Sequence, residues 1–137
     1  MSRLRIPLLP DRLRLAGVVI VASVIGYYSV FAPPGSGAIE MGPFGMLPYS
    51  TWLHLMAYTG LGGSIGYALY GRSASIATQN VTTFLATWGY GIAIEVVQRP
   101  LPDRTFAVVD MAVNALGAAL AVGVWLLLHR YVDLHEV

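Results

Sequence analysis

Glu95, Gln98, Asp110 and Asn114 lie in one stretch, Gly91 to Gly117, which reads GIAIEVVQRPLPDRTFAVVDMAVNALG. Two apolar runs carry these residues, and a short polar loop separates the runs. A separation of three in the first pair, and of four in the second, puts each pair on one helix face. Ionisable groups inside apolar spans are costly, so they face a protein interior or a water-filled cavity and mark function. Glu95 is flanked by Ile94, Val96 and Val97 near a helix C-terminus, where the macrodipole disfavours an anion. It therefore needs a proton, an arginine or a protonated histidine beside it. Two carboxylates in unlike surroundings can divide acid and base work, and His54 adds a group suited to proton transfer. Glu95, Asp110 and His54 are thus the candidate catalytic residues. Arg104 and Arg99 can hold a phosphate, Arg104 bidentately. Gln98, Asn114 and Tyr58 complete the candidate binding set.

Each residue also has a plain structural reading. A histidine near a helix start caps, packs or meets lipid headgroups, and Gln98 with Arg99 suits a membrane interface. Asn114 can serve as an interhelical hydrogen bond, worth about 0.6–2 kcal/mol in a membrane. Asp110 can be an N-terminal helix acid. A histidine with two carboxylates can bind a divalent cation, but no metal-ligand spacing accompanies them, so neither a metal nor a cofactor is expected. Gly60, Gly62 and Gly63 lack the lysine of a phosphate loop, and there is no GxSxG serine elbow.

These residues must be positioned by apolar helices. Hydrophobic residues make up 56% of the 137 positions and charged residues 11%, against roughly 25% charged in a soluble domain. The length fits a single domain. Four runs approach the ~20 residues that cross a bilayer core, at about 15–32, 51–70, 80–98 and 106–128. The first is too long for the apolar region of a cleaved signal peptide. The expected fold is all-α, a four-transmembrane-helix bundle with both termini cytoplasmic. That orientation puts Arg3, Arg5, Arg12, Arg14, Arg72 and Arg130 inside, and only Arg99 and Arg104 outside. It also brings His54, Glu95 and Asp110 just beneath the outer surface, each about one turn from a helix end. Ser50 is the expected N-cap of the second span, and Gly62 and Gly66 form a ridge for close helix packing. Met41, Phe44, Met46 and Leu47, between the first two spans, suit a membrane surface. A net charge of +1 gives no case for nucleic acid, and the absence of cysteine excludes disulfides and thiolate chemistry.

The last three spans resemble the VanZ-like family of small membrane proteins. The resemblance is carried by Trp52-Leu53-His54, then Tyr58 and a glycine-rich segment, Glu95-x-x-Gln98, a loop with Arg104, and Asp110-x-x-x-Asn114-x-x-Gly117. It implies a multi-pass protein of a prokaryotic cytoplasmic membrane. It also carries the family's polar positions onto His54, Tyr58, Glu95, Gln98, Arg104, Asp110 and Asn114. One departure is the pair Ser50-Thr51, where members often have Asp-Lys. The family is named for an accessory protein of low-level teicoplanin resistance, and that role is not carried over to this chain.

The leading expectation is a protein that binds or modifies a lipid or lipid-linked envelope precursor at the outer face. The rival is a non-catalytic assembly partner, whose small-residue faces Gly62 and Gly66, then Gly117 and Ala121, pack against a second copy or another membrane protein. A proton-coupled carrier is disfavoured, since four spans make a narrow pore and Asn80 is isolated on the inner side.

Overall fold

The computed structural model describes residues 3–31, 40–101 and 108–135. Four helices dominate it: α1 (Asp11–Val30), α2 (Tyr49–Leu69), α3 (Ile76–Gln98) and α4 (Val108–Tyr131). Cross-helix contacts fix their directions. Tyr58, Gly62 and Gly66 of α2 meet Gly117, Ala121 and Trp125 of α4 in step, so these two run parallel. Tyr58 meets Gly91 and Gly62 meets Thr87, so α3 runs against both. Tyr90 and Gln98 of α3 bond to Ala22 and Ser29 of α1, which makes α1 and α3 parallel. The most extensive packing is between α2 and α4.

That close approach comes from small residues. A Cβ on Gly62 would lie 2.6 Å from Ala121 Cβ, and one on Gly66 would collide with the Trp125 indole. The indole instead donates to the Gly63 carbonyl at 3.1 Å. The small-residue faces of α2 and α4 are therefore spent on each other, inside one chain.

Local chemistry sets the helix starts, twice against expectation. Ser75 accepts from the Thr78 N–H at 3.1 Å, and this cap starts α3 at Ile76 rather than Asn80. Ser50 caps nothing. α2 begins at Tyr49 behind Pro48, with no side-chain cap, because Pro48 pre-sets the turn and Ser50 already lies inside it. Pro48 also forms an isolated bridge with Met41, closing a loop in which Phe44 and Met46 stand exposed.

Outside the helices, β1 (Leu4–Pro7) pairs in parallel with β2 (Val132–His135), Leu4 opposite Val132. Sequence patterning gave no sign of this clasp. It holds the start of α1 and the end of α4 at the same end of the bundle. Arg14 is buried there, 4% exposed, and its Nη1 donates to the Tyr67 and Tyr70 carbonyls at 3.2 and 2.7 Å. Nη2 pairs with Asp11. The guanidinium thus closes the end of α2, adding a donor to the Tyr67 carbonyl, which also accepts from the Tyr70 N–H, and bonding the Tyr70 carbonyl beyond the last turn.

Large apolar side chains line much of the outside of the helices, while several polar ones are buried beside the apolar core. Val19, Ile20, Val24, Val81, Leu85, Val96, Val97, Leu120 and Val124 are exposed, while Thr83, Thr87, Glu95, Gln98 and Asn114 are buried. By length and composition, α1 and α4 are apolar enough to cross a membrane.

Candidate functional site

Tyr58, Gly91, Asn114 and Gly117 share one layer, where α2, α3 and α4 meet. Gly91 is the seat. A Cβ there would lie 2.7 Å from Asn114 Nδ2 and 3.0 Å from Tyr58 Cε1, so only glycine leaves space for both side chains. Asn114 is fully buried and Tyr58 is 2% exposed. One turn outward on α2, His54 stacks on Tyr58 with ring centroids 6.3 Å apart. Its Nδ1 lies 3.3 Å from Asn114 Oδ1. On α3, Glu95 follows Gly91 by one turn and is 3% exposed. On α4, Asp110 precedes Asn114 by one turn and is half-buried. The Tyr58 hydroxyl is within electrostatic range of Tyr90, Glu95 and Asp110. His54, Tyr58, Glu95, Asp110 and Asn114 thus converge from three helices at one end of the bundle.

A model of the VanZ/LLP1 family matches residues 18–129, which take in most of all four helices and this entire cluster. The chain belongs to the VanZ/LLP1 family. No curated protein and no solved structure shows significant similarity to it.

In this VanZ/LLP1 protein the remaining candidates are placed differently. Gln98 is buried but turned toward α1, where its Nε2 donates to the Ser29 carbonyl at 2.6 Å. It ties α3 to α1 rather than reaching toward His54. Arg99 is exposed at the C-cap of α3. Arg104 lies outside the described residues. Among the described residues no group of three His, Asp or Glu side chains is placed to hold a metal.

Two contributors escaped the sequence reading. Tyr90 donates to the Ala22 carbonyl at 2.5 Å and packs beside the core of Ile25, Tyr58 and Leu61. Its only signal was a position next to Gly91. Gly91 itself precedes Glu95 by four residues, which is the signal that it shares the polar face.

Chemically, the layer offers donors without acceptors. Neither Tyr58 Oη nor Asn114 Nδ2 has a hydrogen-bond partner among the described residues, and both atoms are buried. Buried polar groups are satisfied in the great majority of cases, and leaving one unpaired costs about 1–3 kcal/mol. Two such donors around one glycine seat can receive a ligand's oxygen atom, and Glu95 and Asp110 each lie one helical turn along from that layer.

Proposed function

We propose that this protein spans the cytoplasmic membrane of a prokaryote four times, with both termini cytoplasmic, and binds or modifies a lipid or lipid-linked envelope precursor at the outer face. The observation that carries the ligand reading is the pair of unpartnered donors, Tyr58 Oη and Asn114 Nδ2. Buried polar groups are satisfied in the great majority of cases, whereas this layer leaves two donors unpartnered among the described residues, beneath the outer ends of α2 and α4.

The membrane reading draws on helix lengths of 20, 21, 23 and 24 residues, roughly 30–36 Å at 1.5 Å per residue. Lipid as solvent accounts for apolar side chains outside and polar ones inside. The arginine-rich end that carries the clasp is then cytoplasmic. Labelling single cysteines after Arg72 and at Leu101 should report opposite sides. Labelling of both from one side sinks the topology and the outer-face assignment with it.

In this reading Asn114 and Tyr58 bind the ligand's oxygen, while His54, Glu95 and Asp110 handle protons. Arg99, at the end of α3, and Arg104, which lies outside the described residues, supply charge for a phosphate. The rival assembly-partner reading is weakened because Gly62, Gly66, Gly117 and Ala121 are engaged within the chain.

The test is lipid retained on purified wild-type protein against Tyr58→Phe, quantified by mass spectrometry. A hydrogen bond to a charged acceptor contributes about 1.5–3 kcal/mol, so retention should fall roughly ten- to a hundredfold. Equal retention by both proteins would overturn the ligand reading. A variant that keeps its lipid but loses a co-purifying protein would favour the assembly reading.

A further inference from the structure

Asn114 is held at both ends. Its amide nitrogen lies over Gly91, where even a methyl group would come within 2.7 Å, and its Cβ is similarly close, at 3.1 Å. Tyr58 closes the same seat from α2. The amide oxygen lies 3.3 Å from His54 Nδ1. An amide oxygen carries no hydrogen and only accepts, so the ring nitrogen must be the donor. The imidazole lies nearly parallel to the Tyr58 ring, at an interplanar angle of 22°, which limits tilting of the ring plane.

We propose that Asn114 is a positioning residue that keeps a proton on His54 Nδ1 and leaves Nε2 as the nitrogen through which the ring accepts. Histidine free in water favours the opposite tautomer, so the arrangement has to be imposed. A carboxamide suits this better than a carboxylate would. It orients the ring through a hydrogen bond but adds no negative charge to stabilise the imidazolium. Tyr58 on its own helix stacks on His54, and Glu95 on α3 and Asp110 on α4 lie at the same end of the bundle.

The consequence is a division of labour. Asn114 turns one end to His54 and the other to the buried layer, where Nδ2 and Tyr58 Oη remain as donors. Nε2 is the one strong neutral acceptor in the cluster, and it faces away from Asn114. The site therefore fits a ligand that brings both a hydroxyl and an acceptor oxygen. A hydroxyl-bearing headgroup or a protonated phosphate ester has this chemistry. The ligand half rests on the lipid-binding reading above, whereas the tautomer is a property of the protein alone.

Histidine-selective 15N labelling of the full chain in detergent micelles tests it near neutral pH. Long-range 1H–15N correlations distinguish pyrrole-type from pyridine-type ring nitrogens, and the signals of His54→Gln assign His54 against His129 and His135. The expected pattern for His54 is pyrrole-type Nδ1 and pyridine-type Nε2. In Asn114→Leu, the Nε2–H form should become the major one. Should that variant fail to fold, the wild-type spectrum still decides. Wild-type His54 with its proton on Nε2, or with both nitrogens protonated, would overturn the proposal. A protein that shows the expected tautomer yet retains no lipid would leave the positioning role standing and remove only the ligand.

Discussion

Gly117→Val should disturb the parallel crossing of α2 and α4 and give a large loss of stability. Its added Cβ would lie 3.0 Å from Tyr58 Cβ, 3.1 Å from the Leu55 carbonyl oxygen and 3.1 Å from the Thr59 nitrogen. Two of those three neighbours are backbone atoms of α2, which cannot rotate aside as a flexible side chain would. Valine then adds two methyl groups beyond the Cβ. Overpacking of a close-packed core costs about 1–3 kcal/mol and more where the backbone must move. The upper part of that range is expected here. Gly123→Ala on the same helix is the control. Nothing lies within 4 Å of its new Cβ, and alanine improves helix propensity by roughly 0.8–1.0 kcal/mol. Thermal unfolding in detergent should rank Gly117→Val well below wild type and Gly123→Ala at or above it. If Gly117→Val unfolds with the wild type, the crossing is looser than this geometry.

Arg14→Leu is the second large loss, and it falls at the opposite end of the molecule. Two donations reach carbonyls at the end of α2, and a third group pairs with Asp11. Each bond from a charged group to the backbone contributes about 1.5–3 kcal/mol, so removing both carbonyl bonds should cost roughly 3–6 kcal/mol. Leucine preserves the apolar stem but leaves the Tyr67 and Tyr70 carbonyls without these donors. Arg14→Lys keeps the charge while losing the planar fork, and should fall between the two. Unfolding measured for all three proteins checks the order. An unperturbed Arg14→Leu would mean that solvent already satisfies those carbonyls.

The polar cluster was legible in the sequence, and the reason is physical. Glu95, Asp110, Asn114 and His54 interrupt apolar runs, and spacings of three and four assign each to a face. The sequence could not say which faces meet. Gln98 shares the spacing of Glu95 but lies far enough around α3 to reach α1. Gly62 and Gly66 announced a close partner without naming it, and α4 of the same chain turned out to fill that place. Arg14 was read only as a positive charge for topology, because nothing local distinguishes a buried guanidinium from the exposed Arg12 beside it. The clasp was illegible for a different reason. Leu4–Pro7 and Val132–His135 are short, and each finds its partner across nearly the whole chain.

That separation has a consequence for how the protein is made. Parallel strands need a crossover between them, and here the crossover is the entire four-helix bundle. Residues 4–7 leave the ribosome early and must wait, unpaired, until residues 132–135 follow them. During synthesis at about 5–20 residues per second, that wait lasts seconds, far longer than a helix takes to form. The clasp therefore pairs only after all four helices have been made, and a chain arrested before Val132 carries its helices with the first strand still unpaired.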